Sequence, residues 1–126
     1  MALRERNRGK NAPKSLTAAG RELWLATQRH LRDQGTWRDC DAPLLEQYVH
    51  GVLTAALARE EIGRSGPTSS TADGRPMAHP LIKVARDAEA DARAVAADLL
   101  LTPASRRRAG VDVVPDAPPD WMPGVG

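Results

Sequence analysis

Apolar and small residues recur at steps of three and four along the first regular stretch of the chain. Thr17 can cap the start of a helix there, and Gly35 can close it. The residues that would share one face are Leu16, Gly20, Leu23, Trp24, Thr27 and Leu31. This spacing is that of an amphipathic helix and predicts one over about residues 17–34.

A second stretch has a broader apolar surface, wide enough to contact two neighbours. Asp41 is a plausible N-cap, and Pro43 falls in the first turn, where its missing N–H does no harm. The apolar positions are Leu44, Leu45, Tyr48, Val49, Val52, Leu53, Ala56 and Leu57. The pattern predicts a central helix over about residues 42–62.

A third stretch carries a heptad-like seam made mostly of alanine. His79 and Pro80 have the types expected of a cap and a first-turn residue, so the helix is predicted over about residues 80–100. The seam consists of Leu81, Ala85, Ala88, Ala92, Val95 and Leu99. Small contacts of this kind favour a tight antiparallel or an oligomeric partner, which makes the seam a candidate subunit interface.

The segments between and after these helices are rich in Gly, Ser and Pro. Residues 63–79 are predicted to be a mobile loop without helix or strand. Thr102 and Pro103 begin a short helix over residues 103–109, and Gly110 ends it. The sequence therefore predicts an all-α domain over residues 15–109, containing a helical hairpin or oligomerisation region.

The acidic, Pro-rich stretch of residues 110–126 is expected to be a disordered tail. Trp121 and Met122 are its one sizeable apolar feature. An apolar pair in such a segment can be a docking peptide for a partner, or it can fold back onto the body of the protein. The sequence leaves both possibilities open.

The composition and the positions of Cys and His limit which catalytic or metal sites the chain could form. Of 126 residues, 41% are hydrophobic but only 3% are aromatic, and 21 are Ala, so close helix packing or self-association is expected. Cys40 is the one cysteine, and it lies between two aspartates that oppose thiolate formation. No pair of His residues has the spacing of metal ligands, and no phosphate-binding loop is present. We therefore expect no enzyme activity, no metal and no cofactor.

No apolar run is long enough to cross a membrane, and one cysteine fits a reducing cytoplasm. The net charge of +2 conceals segments of opposite sign. Residues 1–14 have a net charge of +4 and are predicted to be a flexible basic arm, whereas the tail after residue 108 has −3. The cations of the basic arm are Arg4, Arg6, Arg8, Lys10 and Lys14.

Such a basic arm can follow a phosphate backbone, or its charge can simply keep the terminus solvated. Three consecutive arginines, Arg106, Arg107 and Arg108, cannot all be paired locally and are also candidates for phosphate or carboxylate contacts. Trp24 and Trp37, which could stack on bases, are expected instead to pack in the core and at the hinge.

The order of these features resembles the P27-type small terminase subunit of tailed bacteriophages. The similarity covers about residues 10–109: a basic Pro-containing lead-in, the helix with Trp24, Asp41 before the second helix, and the Ala-rich third helix. Its most specific part is the run Leu-Leu-Leu-Thr-Pro-Ala-Ser-Arg over residues 99–106. The family typically closes with a Leu-Gly-Leu-Thr-Pro-x-x-Arg-like run, so Leu100 stands where glycine is expected.

This resemblance implies a non-enzymatic packaging component in the cytoplasm of an infected bacterium. Such a protein forms a ring-like homo-oligomer, binds double-stranded viral DNA and regulates the terminase large subunit, which supplies the ATPase and nuclease. In that setting Trp121 and Met122 are candidates for docking the large subunit.

Two alternatives remain open at this stage. One is a small helical transcription regulator with a helix-turn-helix over residues 16–57, although its connection is longer than the usual turn. The other is a protein-binding adaptor with no nucleic-acid role, in which the basic arm only improves solubility. DNA binding that falls steeply with salt would separate the adaptor from the other two.

Overall fold

The computed structural model describes residues 12–111. The part of the predicted basic arm before residue 12 and the predicted tail after residue 111 lie outside the described residues. Within them, four α-helices and one two-stranded sheet follow each other along the chain. Their bounds are α1 Ala18–Gln34, α2 Ala42–Ser65, β1 Thr68–Ser70, β2 Pro76–Ala78, α3 Leu81–Asp98 and α4 Pro103–Ala109. The helical fold class is confirmed.

Helix α1 begins and ends where its sequence signals predict. The Thr17 hydroxyl accepts a hydrogen bond from the Gly20 N–H at 3.1 Å, which satisfies one of the free donors of the first turn. Gly35 closes the helix in the left-handed conformation, with φ of 82°. The face predicted to be apolar is the buried one.

The start of α2 differs from the prediction in one detail. Asp41 is the residue before the helix, but its side chain makes no capping hydrogen bond. A single 3-10 turn over Asp39–Asp41 leads directly into α2, which leaves Asp41 in a helical conformation rather than the extended one that a capping side chain needs. The helix then continues three residues beyond the predicted end, to Ser65.

Helices α2 and α3 form an antiparallel hairpin, and they approach each other closely at Gly51. A Cβ placed on Gly51 would lie 3.1 Å from the Ala92 Cβ and 3.2 Å from the Ala88 carbonyl oxygen. Farther along, the Arg59 guanidinium contacts Glu89. Small residues on both helices let the backbones approach closely, so the Ala-rich seam closes against the same chain.

The segment between these helices corrects the prediction of a loop without regular structure. Strands β1 and β2 pair antiparallel, with Thr68 opposite Ala78 and Ser70 opposite Pro76. In the connection, the Thr71 hydroxyl accepts a hydrogen bond from the Arg75 N–H. Thr and Ser are compatible with short strands, and Pro76 sits at a strand start, where proline is tolerated.

Helix α3 begins at Leu81 rather than at Pro80. His79 still acts near the helix start, because its Nδ1 accepts the Leu81 N–H at 3.1 Å. The last helix follows its signals closely: the Thr102 hydroxyl accepts from the Ser105 N–H, and Gly110 ends α4 at φ of 70°.

The hydrophobic core lies at one end of the hairpin, where α1 crosses it. Its buried members are Leu16, Trp24, Leu31, Leu45, Val49, Val95 and Leu99. Trp24 is 1% exposed, and its ring meets Trp37 edge to face at 6.1 Å between centroids. Both tryptophans therefore pack as predicted, Trp24 in the core and Trp37 against it.

We call this part the three-helix end: residues 12–53 and 92–111. The remainder of the hairpin, residues 54–91, projects beyond α1 and is called the hairpin tip. On the hairpin tip, small residues such as Ala58 and Ala85 are buried between α2 and α3, whereas Leu57 is 68% exposed. Val84 and Met77 are also exposed there.

Candidate nucleic-acid interface

Helix α4 carries the three consecutive arginines, and hydrogen bonds at its first turn hold it in place. Ser105 is buried, and its hydroxyl donates to the Thr102 carbonyl oxygen at 2.9 Å. Arg107 and Arg108 are exposed, and Arg106 is half-buried. The anchored helix therefore positions the backbone of the three arginines, and two of their side chains remain exposed to solvent.

The turn at Leu100 ends α3 and leads into α4. Leu100 adopts φ of 62°, in the left-handed region. The Leu101 N–H donates to the Ala96 carbonyl and the Leu100 N–H to the Ala97 carbonyl, the two bonds of a Schellman ending. Position 100 is therefore a site that favours glycine, which is the residue that the resembling family typically has there.

This turn also connects α4 to the first helix. The Gln34 side-chain amide donates to the Leu100 carbonyl oxygen at 3.1 Å. The arginines of α4 thus follow a turn that is tied to the last residue of α1.

Lys14, the one cation of the predicted basic arm within the described residues, precedes the other end of α1. It is exposed, and neighbouring Ser15 donates from its hydroxyl to Glu46. Lys14 precedes the start of α1, which has 17 residues and is about 25 Å long, whereas the turn before α4 is hydrogen-bonded to Gln34 at its end. Arg4, Arg6, Arg8 and Lys10 lie outside the described residues.

The hairpin tip and the three-helix end differ in how their Lys and Arg side chains are paired. Every salt bridge of a Lys or Arg among residues 12–111 lies on the hairpin tip: Arg59 with Glu89, Arg64 with Glu60 and Glu61, and Lys83 with Asp87. The three-helix end contains nine Lys and Arg residues, and none of them forms a salt bridge within the described range. These are Lys14, Arg21, Arg29, Arg32, Arg38, Arg93, Arg106, Arg107 and Arg108.

Sequence reasoning missed the contribution of α1 to this set. Arg21 and Arg32 have no acidic residue three or four positions away, the separation at which side chains on a helix meet. On the hairpin tip, by contrast, Lys83 and Asp87 are four residues apart. Charge spacing within each helix was therefore only a partial signal, because Arg29 has Asp33 four positions away and still forms no salt bridge among the described residues.

The predicted subunit seam lies on the face of α3 that packs within the chain. Ala85, Ala88, Ala92, Val95 and Leu99 are buried there, and Leu81 is half-buried. The antiparallel partner allowed by the spacing is therefore α2 of the same chain. A role of these residues between subunits stays a prediction.

The remaining chemical groups are arranged as follows. Cys40 is exposed beside Asp41, and the His50 Nε2 lies 3.6 Å from a Glu46 oxygen. Among residues 12–111, no three His, Cys, Asp or Glu side chains are grouped so that they could hold a metal ion. No helix in that range is long and apolar enough to cross a membrane.

Comparison with known protein families gives a match that covers most of the chain. The family model described as phage terminase, small subunit, matches residues 20–114. The chain belongs to this family. Neither the curated proteins nor the solved structures give a match.

Membership in the terminase small-subunit family confirms the family resemblance, while the P27-type assignment stays a prediction. The match begins within α1 and continues past α4, so it includes the whole hairpin and the Leu100 turn. Trp121 and Met122, predicted to dock a partner, lie outside both the match and the described residues.

Proposed function

We propose that this terminase small subunit binds double-stranded viral DNA as a homo-oligomer and regulates the large subunit during genome packaging. It acts as a non-enzymatic component in the cytoplasm of the infected bacterium. The observation that carries the proposal is the set of cations at the three-helix end that form no salt bridge among the described residues. Cations without an internal partner can contact phosphates without first breaking a salt bridge.

Two groups of cations are proposed to contact DNA. One is the segment containing Arg4, Arg6, Arg8, Lys10 and Lys14. The other is Arg106, Arg107 and Arg108 of the capped helix α4. Each group alone makes few phosphate contacts, but several subunits acting together would raise the apparent affinity by orders of magnitude.

The test is the salt dependence of binding to a DNA duplex. Replacing Arg106, Arg107 and Arg108 by alanine should weaken binding and reduce the slope of log affinity against log salt by about one for each phosphate that the variant no longer neutralises. Replacing the cations of residues 1–14 should have the same kind of effect. The matched control replaces Arg59, Arg64 and Lys83, which also removes three charges but from the hairpin tip.

The expected result is that both groups of proposed DNA-binding cations weaken binding more than the hairpin-tip control when they are replaced. Equal reductions in affinity in all three variants would contradict the assignment of the interface. Absence of salt-dependent binding by the full chain would favour the adaptor alternative over any DNA-binding function.

Self-association is the second part of the proposal, and the exposed apolar side chains of the hairpin tip support it. Thr54 and Val84 line one side of the hairpin, and Leu57 follows Thr54 by one helical turn. Apolar residues exposed close together often mark contacts between proteins. Because the seam is already covered within one chain, we place the first contact between copies at Leu57 and Val84.

The mass of the native protein, measured by light scattering over a range of concentrations, tests this part. Leu57→Glu should lower the mass, because a charge would have to be buried at the contact. Ala56→Glu, on a different side of α2, is the matched control. An unchanged mass for Leu57→Glu would place the contact elsewhere, and a monomeric full chain would contradict self-association.

The docking of the large subunit by Trp121 and Met122 completes the proposal. Deleting residues 112–126 should abolish binding of the large subunit while leaving DNA binding in place. Full packaging activity after that deletion would contradict a docking role.

A further inference from the structure

An apolar groove runs along one side of the hairpin, between α2 and α3. It has a volume of about 380 Å³. Its floor is formed by Tyr48, Val52, Ala55, Ala92 and Ala96. Val52 and Tyr48 are half-buried, so their apolar surface is only partly covered in the described chain.

The rim of this groove has an excess of positive charge. Glu89 and Arg93 line it, and Arg59 donates two hydrogen bonds to Glu89, at 2.9 and 3.1 Å. These bonds, together with the nearby charges of Arg93 and Arg86, hold the pKa of Glu89 below its ordinary value. Besides Arg59, which contacts Glu89, Arg93 and Arg86 are close enough to Glu89 for their charges to lower its pKa, and Arg93 forms no salt bridge among the described residues.

The C-terminal segment of the same chain has the complementary chemistry. Residues 116–122 read Asp-Ala-Pro-Pro-Asp-Trp-Met, two acidic residues followed by the apolar pair. Trp121 and Met122 match the apolar floor, while Asp116 and Asp120 match the positive rim. Residues 1–11, in contrast, are basic and would be repelled by the same rim.

The length of chain is sufficient for this contact. Helix α4 packs beside Ala97 and Leu100 at the end of α3, and Ala97 is only four residues, about 6 Å, from Arg93. Nine residues lie between Val111 and Trp121, and the ten steps from one Cα to the next can span up to about 33 Å. A segment leaving α4 can therefore reach the groove without rearrangement of the helices.

We propose that residues 116–122 bind in this groove of their own chain, with Trp121 on the apolar floor and the two aspartates near Arg93. Bound there, Trp121 and Met122 would not be available to a partner. The groove would then compete with the large subunit for the same two side chains. This contact is independent of DNA binding, so its failure would leave the DNA part of the proposed function untouched.

Methyl NMR of the full chain tests the proposal, because an indole ring shifts the resonances of methyl groups that it covers. Trp121→Ala should move the methyl signals of Val52, Ala92 and Ala96. It should leave Val84, on the opposite side of the hairpin, in place. The signal of the buried Trp24 indole, unchanged across all variants, shows that each one is folded. Unmoved Val52, Ala92 and Ala96 methyls would overturn the proposal.

The charge contribution is tested by reversal and rescue. Arg93→Glu should give the same methyl shifts as Trp121→Ala, and adding Asp116→Lys with Asp120→Lys should restore the original signals. Arg29→Glu on α1 is the matched control and should change nothing in the groove. Groove signals insensitive to Arg93→Glu would contradict the role of the rim.

Two further measurements identify the occupant. Deleting residues 1–11 should leave the groove methyls unchanged, and a shift there without one in Trp121→Ala would mean that the N-terminal segment fills the groove. Mixing methyl-labelled Trp121→Ala chains with unlabelled full chains should not restore the original shifts. Their restoration would show that the tail binds a neighbouring copy, which would overturn binding within one chain.

Discussion

The three-helix end and the hairpin tip share the same two long helices but differ in how they bury apolar side chains. At the three-helix end α1 covers the hairpin, and large residues such as Trp24, Leu45 and Val49 are fully buried. On the hairpin tip no third helix is present among the described residues, and alanines fill the gap between α2 and α3. The first region buries its large apolar side chains, whereas the second exposes Leu57 and Val84.

The two regions differ in the opposite sense in the pairing of their charges. The hairpin tip pairs Arg59, Arg64 and Lys83 with carboxylates, while the cations of the three-helix end form no salt bridge within residues 12–111. Burial and charge therefore assign a different candidate interface to each region. The three-helix end, which has the larger core, carries the candidate contacts to a polyanion. The thinner hairpin tip carries the candidate contacts to another protein chain. Each prediction below changes one side of this contrast.

The largest effect is expected from the core of the three-helix end. Trp24→Ala should lower the free energy of unfolding by about 3–5 kcal/mol, because it leaves a large cavity among residues that cannot collapse. Leu57→Ala, on the hairpin tip, should change it by less than about 0.5 kcal/mol at concentrations low enough to keep the chain monomeric, since that side chain is then in solvent. Urea unfolding measures both.

Similar reductions for Trp24→Ala and Leu57→Ala would contradict the division into a buried and an exposed region. At higher protein concentrations the effect of Leu57→Ala should grow if Leu57 contacts a second copy, because only an assembly makes stability depend on concentration.

The second prediction concerns Gly51, close to where the hairpin tip begins. Gly51→Val should destabilise the protein by about 1–3 kcal/mol, because the added atoms have no room between Ala92 and the Ala88 carbonyl. Gly63→Ala is the matched control in the same helix. A Cβ at Gly63 meets nothing within 4 Å, so this change should stabilise by about 0.5–1 kcal/mol. Thermal or urea unfolding measures both variants, and a tolerated Gly51→Val would mean that the hairpin can open at this point.

The helices of both regions could be predicted from the sequence because their signals are local. The period of apolar residues, the Thr17 and Thr102 caps and the closing glycines each depend on a few neighbouring positions. The partner of the Ala-rich seam could not be predicted in the same way. A stripe of small residues fits a helix of the same chain as well as one of another copy, and only the fold shows which is present.

The β-hairpin and the cations of α1, which form no salt bridge within residues 12–111, were missed for different reasons. Strands of three residues carry too little periodicity to stand out from a Gly-, Ser- and Pro-rich segment. The contrast in charge pairing could be inferred in part, from the i to i+4 spacing on each helix. The bridge between Arg59 and Glu89 could not, because it joins α2 to α3 and depends on how the hairpin is aligned.

The third prediction concerns the turn that connects the core to α4. Leu100→Gly should raise the free energy of unfolding by up to about 1 kcal/mol, because glycine adopts φ of 62° without the steric cost that leucine has. Leu100→Ala is the matched control, since it removes the same side chain but keeps the unfavourable φ. Thermal unfolding that shows Gly no more stable than Ala would contradict strain at this position.

The smallest effect is expected on the hairpin tip, at the bridge between Arg59 and Glu89. Hydrogen bonds from Arg59 lower the pKa of Glu89, so the folded state holds this carboxylate ionised more strongly than the unfolded chain does. Its stabilising contribution is therefore present above the ordinary carboxyl pKa and is lost as pH falls through the lowered one. Glu89→Gln should reduce stability slightly at neutral pH and progressively less in acid, because the wild-type bridge is then lost as well.

Urea unfolding across a range of pH measures this effect, and Glu22→Gln is the matched control. Glu22 is an exposed carboxyl on α1 without a salt bridge among the described residues, so its replacement removes one carboxylate without breaking a bridge. Equal pH profiles for the two variants would mean that the bridge does not persist in solution, because water competes effectively for an exposed ion pair.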